Sequence, residues 1–237
     1  MEISVVSLLD GARHAVGAVA IIDVFRAFTT AAVVLANGAE RIIMVSTVEE
    51  ALTLRDSGEA QICMGEVRGV PPPGFDFGNS PHDVSAVDFT GKTVAQRTSA
   101  GTQGIVAASH AERLYAASLV TASATANALA ASGTQRITIV AMGDGGTVRT
   151  DEDELCALHL RHLLHGRPGD PQAIRNLILA GNEVARFKDP HRRDARWQDV
   201  EIALDTDRYD FAIRVTNEQS RPVARIEFGI HQQTAQT

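Results

Sequence analysis

The chain has 237 residues and a formal net charge of −7, and this length fits one α/β domain with its own hydrophobic core. No apolar run approaches the roughly 18 residues that a membrane-spanning helix needs, so we predict no membrane segment. The acidic balance argues against a nucleic-acid partner, because phosphate backbones are bound by basic surfaces.

The cysteines and the N-terminus bear on the cellular compartment. Cys63 and Cys156 are too few for a disulfide framework, and the sequence has no C-x-x-C motif. The first residues, MEISVVSLLDGARHA, do not show a basic region followed by an apolar stretch, so no secretory signal is apparent. We therefore expect a reduced, cytoplasmic protein.

Apolar runs and helix-forming segments alternate along most of the chain. Runs with the length and branching of buried strands occur at residues 3–9, 18–24, 41–45, 60–64, 92–96, 114–117 and 136–142. Helices are predicted at residues 26–36, 102–108, 121–131, 151–164 and 173–187. A further helix begins after Thr47, whose spacing to Glu50 is that of a capping box, and ends at Ser57-Gly58. This alternation predicts an α/β fold with a layered sheet.

The character of the sequence changes at about residue 188. The stretch DPHRRDARW (189–197) is charged and turn-rich. Residues 210–215 and 223–228 resemble two strands joined across NEQSRP, which predicts an antiparallel hairpin at an edge of the sheet. No domain-boundary linker is apparent before about residue 188, so we interpret residues 1–237 as one domain with a divergent C-terminal segment.

Residues 65–81, GEVRGVPPPGFDFGNSP, form the most distinctive stretch. Four prolines and four glycines prevent a helix or a regular strand from passing through it. It also carries Glu66, Arg68 and Asp76. A long ordered loop after a buried strand is a common place for a functional site; a surface crossover with solvated charges is the alternative.

Other polar residues follow the ends of predicted strands. Asp23 closes AVAIID and Arg26 opens the next helix, a position suited to a ligand, a metal ion or a helix cap. Residues 97–102, RTSAGT, place backbone N–H groups at a strand-to-helix turn that can bind an oxyanion, although the P-loop pattern is absent. The acids at 151–154 open a helix, where the dipole favours acids in any case.

Carboxylates and arginines that follow successive strands indicate one kind of chemistry. If the sheet is parallel, several of these turns lie at one edge. Carboxylate oxygens suit a hard cation such as Mg²⁺, and arginines suit a doubly charged oxyanion. The pattern predicts metal-assisted phosphoryl transfer or hydrolysis, with candidate residues Asp23, Glu66, Asp76, Asp153, Arg26, Arg68 and Arg97.

Other candidate nucleophiles and ligands fit the sequence less well. Cys63 is separated from Arg68 by four residues, whereas a thiolate phosphatase has five, so we expect Cys63 in the core. Ser99 lacks the G-x-S-x-G motif, and residues 23–25 are not the D-x-D pair of a phospho-aspartate enzyme. Three histidines are expected to be solvated or capping residues: His159, His162 and His165.

The stretches described above resemble the 2-phosphosulfolactate phosphatase family of coenzyme M biosynthesis. The resemblance covers most of residues 20–160. It rests on IDVFRAFTTAAVVLANGA (22–39), VSTVEEAL (45–52), GEVRGVPPPGFDFGNSP (65–81), GKTVAQRTSAGTQGI (91–105), ASLVTASATANAL (117–129) and, more loosely, AMGDGGTVRTDEDELCA (141–157). It implies a Mg²⁺-dependent phosphatase that converts 2-phosphosulfolactate to sulfolactate, on a three-layer α/β/α sandwich around a mostly parallel or mixed sheet.

With this resemblance, we assign expected roles to the polar positions. The expected catalytic residues are Asp23, Arg26, Glu66 and Arg97. The expected substrate-binding residues are Arg68, Asn79, Thr98, Ser99, Gly101 and Thr102. The expected metal ligands are drawn from Asp23, Glu66, Asp76, Glu152 and Asp153.

The hypothesis is that Mg²⁺ polarises a phosphoryl oxygen while Arg97, with Arg26 or Arg68, neutralises its charge. A carboxylate, Glu66 or Asp76, would accept the proton of the attacking water. The alternative is a non-catalytic sensor of a small anionic metabolite, which would bind without Mg²⁺ and release no phosphate. The small-residue helices at 26–36 and 121–131 could pack in the core or form a dimer face, and we predict a homodimer on base rates.

Overall fold

The computed structural model describes residues 1–167, 169–189, 192 and 194–229. Within these ranges nine strands form one sheet: β1 (Glu2–Ser7), β2 (Ala18–Ile22), β3 (Arg41–Met44), β4 (Ile62–Gly65), β5 (Thr93–Arg97), β6 (Arg113–Ala117), β7 (Arg136–Ala141), β8 (Phe211–Glu218) and β9 (Arg221–Phe228). The helices of the same ranges are α1 (Leu8–Arg13), α2 (Ala27–Ala36), α3 (Val48–Asp56), α4 (Pro81–Val84), α5 (Gly101–Ala107), α6 (Ala122–Ala130), α7 (Asp151–Leu164), α8 (Pro171–Ala180), α9 (Ala185–Lys188) and α10 (Trp197–Ala203).

The sheet is mixed, with the strand order β1-β7-β2-β6-β8-β9-β3-β5-β4. Strands β1, β7, β2 and β6 pair in parallel, and so do β3, β5 and β4. Strands β8 and β9 join the two parallel groups through antiparallel pairs. The prediction of an α/β fold around a mostly parallel or mixed sheet is confirmed.

The C-terminal hairpin forms as predicted, but its predicted place at a sheet edge is wrong. β8 pairs with β6 on one side and β9 pairs with β3 on the other, so the hairpin lies in the interior of the sheet. Charged and polar side chains of the hairpin find partners in this position. Arg225 donates from Nη2 to Oε2 of Glu218 at 3.2 Å, and Arg214 donates to the hydroxyl of Tyr115 at 3.1 Å.

Helices cover both faces of the sheet. Alternate residues of β2 face opposite layers: Val19 and Ile21 pack in the core with α2 and α5, whereas Ala20 and Ile22 pack in the core beside α6 and α7. Residues 27–35 of α2 are all buried within the chain, so this helix belongs to the core and is not a dimer face. Among the described helices, none combines the length and apolar character needed to cross a bilayer.

Several element boundaries differ from the sequence-based expectation. The first strand ends at Ser7 and is followed by the unpredicted α1. The single helix predicted at 173–187 is wrong, because the chain leaves the helix at Gly181, whose backbone is extended, and resumes as the short α9. The capping box is confirmed: the Glu50 amide donates to Thr47 Oγ1 at 3.1 Å and the Thr47 amide donates to Glu50 Oε2 at 3.0 Å.

The pairing pattern affects the expectation that strand ends meet at one edge. Three antiparallel pairings separate β2 from β5, so these strands run in nominally opposite directions. Twisted sheets rotate by about 20° to 25° per strand. The five steps from β2 to β5 therefore add up to a rotation on the order of 100°. Strands that are nominally opposed therefore need not end at opposite edges of the sheet. The loops after β2 and β5 are in contact, because the Gly101 amide donates to Asp23.

Candidate active site

A cleft forms where the loops after β2, β4, β5 and β7 meet the start of α7 and the segment between α9 and α10. Backbone amides of one loop donate to carboxylates of another, which holds the loops together. Eight of the predicted site residues line this cleft: Asp23, Arg26, Glu66, Arg68, Asn79, Ser99, Glu152 and Asp153.

Asp23 follows β2 and lies at the bottom of the cleft. Its Oδ1 accepts from the Ala27 amide at 2.9 Å, which caps α2, and its Oδ2 accepts from the Gly101 amide at 2.9 Å. Burial raises the pKa of Asp23 to about 6; the charge of Glu66 adds to the rise, while these hydrogen bonds and Arg186 oppose it. Asp23 is therefore both a helix cap and a cleft carboxylate.

Two further buried carboxylates come from the first turn of α7. Asp153 accepts from the amides of Val24 and Gly143, each at 2.8 Å. Its pKa is raised well above the usual range by burial and by the charges of Glu152 and Asp23. Burial also raises the pKa of Glu152, to about 7. Asp153 and Glu152 therefore do more than interact favourably with the dipole of α7, because both are buried carboxylates of the cleft.

Glu66 connects the loop after β4 to the loop after β5. Its Oε1 accepts from the Ser99 amide at 2.5 Å. Its Oε2 accepts from the Gly69 amide at 2.6 Å and from Ser99 Oγ at 3.0 Å. Three donors therefore fix the orientation of this carboxylate at the wall of the cleft.

The predicted arginines of the cleft differ in how they are held. Arg26 is buried, and its Nη1 lies 2.7 Å from Asp199 Oδ2 in an ion pair; the same atom donates to the carbonyl oxygen of Asp194. Arg68 is exposed, and its backbone amide donates to Ser99 Oγ at 2.9 Å. Arg26 is thus a fixed charge, whereas the side chain of Arg68 lies at the mouth.

Two residues with predicted chemical roles do not line the cleft. Arg97 lies behind its wall, donating from Nε to the Ser46 carbonyl at 3.2 Å and from Nη1 to the Glu66 carbonyl at 2.8 Å. Asp76 accepts from the Cys63 amide at 2.8 Å and lies 3.7 Å from Nη1 of Arg55. The structure therefore does not bring Asp76 together with the other predicted metal ligands.

Three predicted substrate-binding residues build the turn after β5 instead of lining the cleft. The Thr98 amide donates to Thr102 Oγ1 at 2.8 Å, and the Thr102 amide donates to Thr98 Oγ1 at 3.0 Å. Gly101 lies so close to its neighbours that an added Cβ would be 2.9 Å from Oδ2 of Asp23 and 2.8 Å from the Cβ of Ala27. A glycine here lets its amide reach Asp23.

Several lining residues were not predicted from the sequence. They come from the loop after β7, which lies within the resemblance stretch 141–157 although no role was assigned there, and from the segment following α8, where the signal was the density of charge in residues 189–197. The unpredicted residues with polar side chains are Asp144, Thr150, Arg186, Arg192 and Asp194. The segment after residue 188 thus contributes directly to the cleft.

Residues that we set aside as nucleophiles or ligands lie mostly as expected. Cys63 is buried, as predicted, and its Sγ donates to the Ala51 carbonyl at 3.2 Å. His165 lies at the end of α7, where its Nδ1 is 2.7 Å from the Arg161 carbonyl. The expectation is wrong for His159, which is buried, because its face of α7 packs into the core.

Buried carboxylates with raised pKa values and a fixed arginine in one cleft are typical of an enzyme acting on a small anion. The sequence model of the 2-phosphosulpholactate phosphatase family matches residues 6–217. The chain therefore belongs to this family of phosphoric monoester hydrolases, and its curated relatives are named as probable 2-phosphosulfolactate phosphatases. The resemblance seen in the motifs is confirmed.

Curated relatives support the same assignment. A probable 2-phosphosulfolactate phosphatase of Bacillus subtilis (strain 168) is 31% identical over 170 residues, which is 71% of this chain and 69% of the relative. One from Deinococcus radiodurans is 37% identical over 145 residues, 61% of this chain and 60% of the relative. One from Thermoplasma volcanium is 30% identical over 190 residues, 80% of this chain and 85% of the relative.

Proposed function

We propose that this chain hydrolyses the phosphate monoester of a small anionic 2-hydroxy acid, with 2-phosphosulfolactate as the first candidate. The observation that carries the proposal is one cleft lined by buried carboxylates and by arginines. Arginines supply the positive charge that a phosphate and a second acidic group need. The names of the relatives support this substrate.

Oxygen donors for a divalent cation are present in the cleft. Within the described ranges, Glu152 Oε2, Asn79 Oδ1 and Thr150 Oγ1 are buried without a hydrogen-bond partner, and all three residues line the cleft. The same part of the chain has no group of three or more His, Cys, Asp or Glu side chains arranged to hold a metal ion. This donor set fits Mg²⁺, which usually keeps several waters and uses one or two carboxylates together with substrate phosphate.

We propose Glu152, with Asp23 or Asp153, as the residues that would hold Mg²⁺. When bound, the ion would offset the charge of the phosphate and polarise its oxygens. Asp76 is less suited to this role, since it lies outside the cleft lining, and Glu66 is proposed below as the proton acceptor.

The chain's own residues supply the remaining chemistry. Water attacks phosphorus, the P–O ester bond breaks, and the ester oxygen takes up a proton from solvent to become the hydroxyl of the acid, which balances the proton that the attacking water gives up. Glu66 is the carboxylate that accepts the proton of the attacking water, because its orientation is fixed at the cleft wall. Arg26 and Arg68 offset the negative charge of the substrate. Arg97 supports Glu66 from behind by binding its carbonyl oxygen.

Release of inorganic phosphate tests this proposal. The panel contains 2-phosphosulfolactate and 2-phospholactate, each with Mg²⁺ and with EDTA. We expect release that requires Mg²⁺, and a loss of about 100- to 10,000-fold in kcat for Glu66→Gln. The matched control is Glu49→Gln in the exposed first turn of α3, which should leave kcat unchanged. Equal release in EDTA would contradict the metal requirement, and no release from either acid would contradict the hydrolase.

We also propose an oligomeric state and a cellular location. A homodimer follows from base rates for enzymes, and light scattering at twice the chain mass would support it. A cytoplasmic location and the absence of a nucleic-acid partner follow from composition alone.

A further inference from the structure

Arg186, on α9, is a cation of the cleft that the sequence did not indicate. It lines the cleft together with Asp23 and Glu152. Its half-buried side chain donates from Nη2 to the carbonyl oxygen of Phe25 at 3.2 Å. Within the described residues it forms no ion pair with a carboxylate. Its charge is therefore available to a bound anion.

Phe187 places Arg186 beside Arg26. The guanidinium carbon of Arg186 lies 5.0 Å from the centroid of the Phe187 ring, and that of Arg26 lies 5.7 Å from it. The ring is buried and packs on Phe25 at 5.1 Å between centroids. Cation–π attraction holds both like charges at this wall. Asp199 pairs with Arg26, so of the two arginines on this ring Arg186 is the one without an ion pair among the described residues.

The contacts of Arg186 show which part of the cleft it borders. Its Nη2 donates to the carbonyl oxygen of Phe25, two residues after Asp23 in the chain, and its side chain lines the same cleft as Asp23 and Glu152. Arg97 instead has Nε and Nη1 bonded to backbone carbonyls behind the cleft wall. Of these two arginines, Arg186 is the one that shares the cleft with the carboxylates that would hold the metal ion, and the phosphate would bind beside that ion.

We infer that Arg186 is a catalytic residue that contacts the phosphoryl group and offsets charge on its oxygens as the ester bond breaks, a role the sequence suggested for Arg97. Phe187 is its positioning residue. The inference rests on the proposed function and deepens it, since it names the side chain that the phosphate of the substrate would meet.

The first experiment compares kcat for 2-phosphosulfolactate with Mg²⁺ in wild type, Arg186→Ala, Arg186→Lys and Arg221→Ala. We expect Arg186→Ala to lose about 100- to 1000-fold in kcat, with partial recovery in Arg186→Lys. Arg221 pairs with Glu59 on the hairpin, outside the cleft, and its variant should keep wild-type kcat. A kcat for folded Arg186→Ala within twofold of wild type would overturn the inference.

The second experiment tests Phe187 by a double-mutant cycle. Phe187→Leu should lower kcat at least tenfold in the wild-type background and by a clearly smaller factor when Arg186 is already alanine, because only the contact with Arg26 then remains to be lost. A purely structural role would lower kcat by the same factor in both backgrounds. That result would remove Phe187 as the positioning residue.

Binding of inorganic phosphate, measured by calorimetry with Mg²⁺, separates failure of this inference from failure of the proposed function. If wild type releases no phosphate from any acid, the proposed function fails. The contact between Arg186 and a phosphoryl group is then still supported if Arg186→Ala binds inorganic phosphate at least tenfold more weakly than wild type. Equal binding by the two proteins, or no binding by wild type, overturns it.

Discussion

Asp199 is a completely buried carboxylate that the cleft chemistry does not use directly. Its Oδ2 pairs with Arg26, while its Oδ1 accepts from Ser80 Oγ at 2.6 Å and from the His82 amide at 3.2 Å. One side chain on α10 thus ties down a cleft arginine and the exit of the 65–81 loop. Sequence analysis does not detect such a residue, because 173 positions separate it from Arg26 and no periodicity connects them.

Replacing Asp199 by asparagine should cost stability. The variant keeps the shape of the side chain but leaves the buried charge of Arg26 without its counter-ion, and breaking a buried pair in this way costs about 3 to 5 kcal/mol. Urea unfolding at neutral pH measures the difference. The matched control is Asp205→Asn, whose pair with Arg208 is exposed and should contribute no more than about 1 kcal/mol. If both variants lost the same free energy of unfolding, the buried Arg26–Asp199 pair would contribute no more to stability than the exposed pair.

Residues at strand ends were the predictable part of the cleft. Asp23, Glu66 and Ser99 each follow a recognisable apolar strand, and the structure brings all three to the cleft. Arg97 also follows such a strand, but it is not among the residues that line the cleft, and its guanidinium donates to the carbonyls of Ser46 and Glu66. Chain position shows that a residue is near a strand end; the direction of its side chain depends on contacts that the sequence does not display.

At the scale of elements, α7 shows two functions in one helix. Its first turn carries Asp153 and Glu152 into the cleft, where Asp153 accepts from the loops after β2 and β7. Two turns later the same helix buries His159, and neither ring nitrogen has a hydrogen-bond partner among the described residues. The pKa of His159 is lowered because burial disfavours the charged ring; Asp207 opposes this and His162 adds to it.

This lowered pKa predicts that acid destabilises the protein through His159. Above the unfolded-state pKa of about 6.5 the ring is neutral in both the folded and the unfolded state. Protonation of His159 then takes nothing from the free energy of unfolding. As the pH falls below that value, the unfolded chain binds the proton more readily than the folded chain, so the free energy of unfolding decreases. His159→Leu should therefore show a smaller drop in Tm between pH 8 and pH 5 than wild type.

The exposed His14 provides the control for this measurement. His14→Gln should keep the wild-type pH dependence of Tm. The interpretation of His159 would be rejected if its leucine variant lost as much Tm on acidification as wild type does.

At the scale of the whole molecule, the C-terminal hairpin joins two parallel strand groups into one sheet. The segment just before it, from α9 to α10, adds residues such as Arg186 and Asp194 to the cleft. Alternating strands and helices made the layered α/β class predictable. The insertion of the last two strands between β6 and β3 was not predictable, because strand order depends on long-range pairing that local patterns do not encode.

The origin of the oxygen atoms in the released phosphate gives the sharpest test of hydrolysis by this protein. The measurement is ³¹P NMR of phosphate formed from 2-phosphosulfolactate in ¹⁸O-labelled water with Mg²⁺, together with mass spectrometry of the acid product. Attack of water on phosphorus predicts one solvent oxygen in each phosphate and none in sulfolactate. Label in the hydroxyl group of the acid, or no phosphate at all, would contradict a phosphate-monoester hydrolase.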